Sequence, residues 1–395
     1  AFFALAAAGA LVVVLALAAP GVLRQDTAEQ GAAHPATSAP LTRRAAATPD
    51  DFEALPFARR FHARGSAGCV EQPTLPDSAK LLVDRNAGAW GTKMQFFSMT
   101  VLMASLSGRA PVGTQVNSHQ MDLEVGNWFR KVRLLPSGGH AMQKCRHNGM
   151  SVTGSSSACT LDAQGAFSRE EFWKMADKSA AAQKLAKGNA ASYKSCALRQ
   201  FLDSPTQELA ARLAIHSADL KPRDVVIGIH LRFGDHYISE AKLARGDDRH
   251  IQAKVPKVHA FVNDLIHDLE GQDSTMRVRV FVASDIPKGL EDAKQTWGDR
   301  VLPGPEKVAF HTRRQSWSGS MSKEQMRKLT GDVVADWLML AMSDVLIKPM
   351  KSGFSETAAD LGMQGPCRFL DNEWKKGVPP SRRRQCVEAL IRSMA

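Results

Sequence analysis

Val225-Val-Ile-Gly-Ile-His-Leu-Arg-Phe-Gly-Asp235 is an apolar run that ends abruptly in a Gly-Asp turn. That is the pattern of a buried parallel strand delivering its last residues to a ligand crevice. Strand alternation puts Val225, Ile227, Ile229 and Leu231 on one face and Val226, Gly228, His230 and Arg232 on the other. The first face is packing. On the second, Gly228 leaves room beside His230 and Arg232 at the carboxyl end of the strand, where open α/β sheets bind ligands. A planar, permanently charged guanidinium there suits a phosphate. The competing reading pairs Arg232 with Asp235 or Asp224 and makes His230 an ordinary core histidine.

Downstream, strands alternate with helices. Val255 to Leu269 reads as a helix, Met276 to Val282 as a strand running into Ala283-Ser-Asp285, and Leu290 to Trp297 as a helix. Arg300 to Pro303 reads as a brief strand, Gly331 to Ser343 as an apolar helix and Val345 to Ile347 as a strand. Ser352-Gly-Phe-Ser355 is then a turn feeding a helix over Glu356 to Leu361. This alternation predicts a parallel, Rossmann-like sheet. The tips after Leu231, Val282 and Ile347 should therefore open on one edge, bringing His230, Arg232 and Asp235 together with Asp285 and with Ser352 and Ser355. Ser at a helix start can cap, and the amides there can hold an anion. A carboxylate, a guanidinium and a helix N-terminus together can bind a nucleoside diphosphate.

Upstream, Lys80 to Asp84 reads as a strand, Arg85 to Gly91 as a Gly-rich loop and Lys93 to Leu106 as a helix stopped by Gly108. Trp128 to Leu135 reads as a short strand, and Ser168 to Leu202 has helical composition. A boundary falls near Asp203 to Pro205. The first 23 residues are almost entirely apolar, which favours a membrane anchor over a cleaved signal. From Arg24 to about Asp77 the chain is rich in Ala, Pro, Thr and Ser, the composition of a flexible stem. The expected organisation is an anchor or signal over residues 1–23, a disordered stem over 24–78, an N-terminal Rossmann-like domain over 79–205 and a C-terminal one over 206–395. That is the layout of a single-pass type II membrane protein, or of a secreted one if the first segment is cleaved.

Across 395 residues, 44% are hydrophobic and 23% charged, the balance of an ordinary globular chain. The formal net charge of +11 permits anionic partners. The basic residues are scattered, and no zinc-finger spacing or aromatic-basic element accompanies them, so nucleic acid is not the expected partner. Six cysteines stand at wide spacing with no Cys-x-x-Cys pair, which argues against zinc and permits three disulfides in an oxidising compartment. Cys367 with Cys386, and Cys145 with Cys159, would each close a local loop; connectivity is otherwise open.

His230-Leu-Arg232-Phe-Gly-Asp235 resembles the His-x-Arg-x-Gly/Thr-Asp region of the fucosyltransferase superfamily. That superfamily includes core α1,6-, protein O- and nodulation fucosyltransferases. In the same order, Val280 to Asp285 resembles its strand ending in Ala-Thr/Ser-Asp, and Asp336 to Asp344 the helix before its last sheet strand. Ser352-Gly-Phe-Ser355 resembles its Ser-Ser-Phe-Ser/Thr turn, and Gly88 to Met94 its opening loop and helix. The resemblance implies the GT-B arrangement, two Rossmann-like domains facing a cleft, and an inverting transfer of fucose from GDP-fucose to a glycan or glycoprotein, without a metal, in the Golgi or ER lumen. It assigns Arg232 to the β-phosphate, His230 to the donor pocket and Asp285 to guanine or ribose. Ser352, Phe354 and Ser355 would close over the nucleotide, and the loop at Trp90, Gly91 and Thr92 would reach it from the other domain. Asp235 is the first candidate for catalytic base, Glu240 the second and His236 the third. Thr92-Lys93 departs from the family's Asn-Gln or Ser-Gln, and Gly353 from its common Ser. Alternative readings are an inactive GT-B relative that binds glycan or nucleotide, and a transferase using another activated donor.

Overall fold

The computed structural model describes residues 56–76, 78–84, 90–113, 124–134, 143–148, 150–153, 156–161, 168–187, 192–233, 249–304 and 322–394. Residues 1–23, read as the anchor, fall outside them. Asp235, His236 and Glu240 do so as well.

The first half contains α1 (Pro56–Gly68), β1 (Leu81–Asp84), α2 (Trp90–Ser107), β2 (Ala110–Gly113), the hairpin strands β3 (Arg146–Asn148) and β4 (Ser151–Thr153), and β5 (Ala158–Leu161). Helices α3 (Arg169–Asp177), α4 (Ala180–Gln183), α5 (Tyr193–Leu202) and α6 (Gln207–Ser217) follow. The second half contains β6 (Asp224–Leu231), α7 (Arg249–Gln272), β7 (Arg277–Ser284), α8 (Pro287–Trp297), α9 (Lys323–Met342) and β8 (Val345–Lys348). It ends with α10 (Gly353–Gly362), β9 (Arg368–Leu370), α11 (Asp371–Lys376) and α12 (Pro380–Met394).

Two parallel sheets result, as an alternation of buried strands and helices demands. One has the order β2-β1-β5, the other β7-β6-β8-β9. In the second, β6 pairs with β7 from Asp224↔Arg277 to Leu231↔Ser284 and with β8 from Ile227↔Val345 to Ile229↔Ile347. All of β6 is buried. Its odd-numbered face, Val225, Ile227 and Ile229, packs with Val258 and Leu265 of α7 and Val387 of α12. The even face, with Val226, joins a larger core of Trp90 and Phe97 of α2, Leu198 of α5, and Trp337 and Leu340 of α9. Gly228 leaves no room for a ligand: a Cβ there would stand 2.4 Å from Ser343 Oγ, so its smallness serves the seating of the end of α9.

The stem reading does not hold over Pro56–Gly68. Phe57 and Phe61 share a helical face at i, i+4 spacing and are 1% and 0% exposed within the larger core. Arg60 and Arg64, one turn apart, reach Asp344 between α9 and β8. Arg60 donates to its two oxygens at 2.8 and 2.8 Å and Arg64 to one at 3.5 Å, while the Val226 amide donates to it at 2.9 Å. Arg64 and Arg199 both donate to the last carbonyl of α10, Gly362 O, at 2.9 and 3.3 Å, where a helix end favours cations.

Two other strand expectations are corrected. Of Trp128 to Leu135, the described part, residues 128–134, makes only isolated bridges, Phe129↔Pro205 and Val112↔Arg133, because Trp128 and Phe129, both 0% exposed, turn consecutively into the core instead of alternating. Arg300 to Pro303 contributes a single bridge, Val280↔Val301. Three disulfides form: Cys145–Cys159, Cys367–Cys386 and, across 127 residues, Cys69–Cys196, which ties α1 to α5. Among the described residues, no helix is long and apolar enough to cross a membrane.

Candidate functional site

Because β6, β7 and β8 are parallel neighbours, their carboxyl ends share one edge. Arg232 follows β6 and is partly exposed. The residue after it, Phe233, donates its amide to both oxygens of Asp285 at 3.0 and 3.2 Å. Asp285 thus clasps the β6 tip to the β7 tip, holding the backbone that presents Arg232. Ser284 is a turn residue whose hydroxyl bonds Ile286 O at 2.8 Å. His230 is buried, and its ring lies 5.2 Å, centroid to centroid, from that of Phe354. That contact joins the first strand tip to α10.

Helix α10 begins at Gly353, so Phe354 and Ser355 belong to its first turn and Ser352 is its N-cap residue. The N-caps of α3, α4, α5 and α9 are also serines, and each accepts a first-turn amide through its hydroxyl, at 3.1–3.2 Å. Ser352 makes no such bond. Its Oγ, and that of Ser355, are buried without a hydrogen-bond partner in residues only 4% and 0% exposed. Buried hydroxyls are ordinarily satisfied, so two orphans at the amide-rich end of a helix mark a place that an anionic ligand would complete. The turn itself is rigidly held. Trp337 Nε1 donates to Thr357 Oγ1 at 3.0 Å, and that hydroxyl donates to Gly353 O at 2.8 Å. Trp90 packs edge-on against Trp337 at 5.9 Å.

The N-terminus of α2 is built into the same place. The helix starts at Trp90, and Trp90 is 0% exposed, so it is a core residue in a helix and not part of a loop; Thr92 is exposed. The residues 85–89 before it lie outside the described ones. Gly91 is where α10 approaches: a Cβ would stand 2.5 Å from Phe354 N. Lys93 is committed to Asp84, 3.2 Å away, with both side chains buried. One turn after Gly91, Gln95 fills the space a side chain at position 353 would need, with its Cδ 2.7 Å from a Cβ built on Gly353. That amide is the far end of a flexible, half-buried side chain and can swing aside to admit a hydroxymethyl group. Gly353→Ser, which needs only the end of the Gln95 side chain to move, is expected to cost under about 1 kcal/mol, read by urea denaturation. A loss above about 2 kcal/mol would show that Gln95 cannot move aside.

Two residues here were not singled out from the sequence. Gln95 is one. The other is Lys348, which ends β8 one residue past the Ile229↔Ile347 pair, is 4% exposed and donates to Pro349 O at 3.3 Å. Burial holds its ammonium below the ordinary lysine range, with Glu356 of α10 opposing that shift. The available signal was a lysine closing an otherwise apolar strand, Val345-Leu-Ile-Lys348.

No family model matches the chain, and no curated protein matches it. Among solved structures it is similar to fucosyltransferases. One is NodZ α-1,6-fucosyltransferase co-crystallised with GDP, 13% identical over 71% of this chain and 91% of that one, with a TM-score of 0.38. A second is a point mutant of Arabidopsis thaliana FUT1 in complex with GDP, 12% identical over 80% and 76%, with a TM-score of 0.40. A third is POFUT1 in complex with GDP-fucose, 11% identical over 75% and 99%, with a TM-score of 0.36.

Proposed function

We propose that the chain is an inverting glycosyltransferase that moves fucose from GDP-fucose to a hydroxyl of a glycan or glycoprotein, its two parallel sheets forming the Rossmann-like halves of a GT-B arrangement. The single observation that carries this reading is the α10 N-terminus, whose N-cap serine leaves the first-turn amides uncovered beside two buried, unpartnered hydroxyls. It adjoins the strand tip that bears His230 and Arg232. The ordered motif resemblance supplies the nucleotide and the sugar.

In this mechanism the α10 amides, Ser352, Ser355 and Arg232 stabilise charge as GDP departs, without reorganising during the reaction. Asp285 holds the Phe233 amide next to Arg232, and the motif resemblance assigns it to guanine or ribose. Gly91 admits α10 close to α2, so both helix starts border the donor. Asp235, or Glu240 after it, removes the acceptor proton from the side opposite the leaving diphosphate. Three disulfides support folding in an oxidising compartment, and residues 1–23 would anchor the chain in a Golgi or ER membrane.

A thermal-shift panel of GDP, UDP, ADP and CMP with the full chain tests the base, and GDP-fucose turnover tests the chemistry. GDP alone should raise Tm, by about 2.7 kcal/mol of stabilisation at a hundredfold excess over Kd. GDP-fucose should be consumed with release of GDP. Stabilisation by GDP without turnover would select the binding-protein reading, and stabilisation by another nucleotide a different donor.

A further inference from the structure

Strand β8 ends on Lys348, although a buried parallel strand is ordinarily apolar throughout. The register fixes where that lysine stands. Gly228 pairs with Leu346 and Ile229 with Ile347, so one step further His230 and Lys348 are level on neighbouring strands. Alternation puts Lys348 on the face of Leu346, which joins the core formed with α9 and α10. That is also the side on which the His230 ring meets Phe354, in the first turn of α10. Lys348 therefore stands beside the strand tip and the helix start that make up the candidate donor site.

Its charge is poorly matched by what surrounds it. The side chain is 4% exposed, and its bond to Pro349 O at 3.3 Å uses one of three ammonium donors. Among the described residues no carboxylate forms an ion pair with it. Four charged side chains act on it from a distance: Glu356 and Asp360 of α10 and Asp371 of α11 attract it, and Arg368 of β9 repels it. Asp360 is taken by Lys194, and Asp371 by Lys375 at 2.8 Å and by the Met350 amide at 3.0 Å. That leaves Glu356, which is partly exposed. Burial outweighs these attractions and holds the ammonium below the ordinary lysine range.

A helix start carries partial positive charge, so a lysine beside it has the wrong sign for a purely structural role. The hydroxyls of Ser352 and Ser355 at that same start are buried without partners. An ammonium with spare donors, an amide-rich helix end and two open hydroxyls share one requirement, a multiply charged anion.

We propose that Lys348 binds the diphosphate of the nucleotide, its ammonium meeting the phosphates from the sheet side while the first turn of α10 meets them from the helix side. The assignment rests on the donor-site reading and adds a residue to it. The ammonium stays protonated throughout and neutralises charge on the departing GDP; no proton is transferred.

Titration calorimetry of the full chain and of its Lys348→Met variant with GDP, inorganic pyrophosphate and guanosine tests it. Methionine keeps much of the unbranched stem and removes the charge. Kd for GDP and for pyrophosphate should rise at least tenfold in the variant, and Kd for guanosine less than twofold. Without ligand, the variant's Tm should equal or exceed that of the unmodified chain, because an unpaired buried ammonium costs stability. Equal affinity of both chains for GDP and pyrophosphate would overturn the proposal. An equal proportional loss for guanosine, or a ligand-free Tm lowered by several degrees, would do so too, since either makes Lys348 a structural residue. If the unmodified chain binds neither GDP nor pyrophosphate, the donor-site reading fails and takes the proposal with it. If it binds pyrophosphate but not GDP, and Lys348→Met loses that binding, the base assignment fails and the role of Lys348 stands.

Discussion

Replacing Asp344 with Ala is expected to remove about 3–5 kcal/mol of stability, the largest single effect anticipated for this chain. The carboxylate is 1% exposed and serves three partners at once: Arg60, Arg64 and the Val226 amide at the start of the central strand. Removing it leaves two partly buried cations and a buried amide without their acceptor, and desolvation of each is then uncompensated. Arg60 also bonds Pro222 O at 3.0 Å and Asp224 O at 2.6 Å, so the loss propagates to the entry of β6. A urea midpoint lowered at constant m-value would measure it. Arg60→Met with Arg64→Met, in the Asp344→Ala background, should recover a substantial part, because the buried charges go with their partner. A loss under about 1 kcal/mol, the value of an exposed pair, would mean that the network is ornamental.

Arg232→Ala carries the second large effect, on ligand rather than on fold. A charged contact to a diphosphate at a sheared-off strand tip is worth roughly 2–4 kcal/mol, so GDP affinity by titration calorimetry should fall roughly 30- to 700-fold. The fold should persist, since Arg232 lies beyond the β6 ladder and Asp285 still holds the Phe233 amide. Equal GDP affinity in a variant of unchanged Tm would remove Arg232 from the site.

What the sequence discloses follows from the range of each interaction. A buried parallel strand is a continuous apolar run, so β6, β7 and β8 are legible to within two residues, and their shared direction already predicts one functional edge. The start of α10 is legible as Ser352-Gly-Phe-Ser355, although Phe354 and Ser355 fall inside the helix. Nonlocal partners are another matter. Helix α1 is too short to stand alone, and it is fixed by Asp344, 284 residues from Arg60; its Ala- and Arg-rich surroundings read as stem. Gly228 is explained by Ser343, a contact that no spacing along the chain encodes. Trp90 looks like a loop aromatic beside glycines until Trp337 is brought against it.

Hydrogen exchange of the full chain with and without GDP tests most directly whether this edge holds a nucleoside diphosphate. The account predicts that the amides of Gly353, Phe354 and Ser355 and of Phe233 slow on adding GDP, while the segment Val70 to Leu75 that follows α1 does not. Protection confined to other segments, with those first-turn amides exchanging as before, would contradict it.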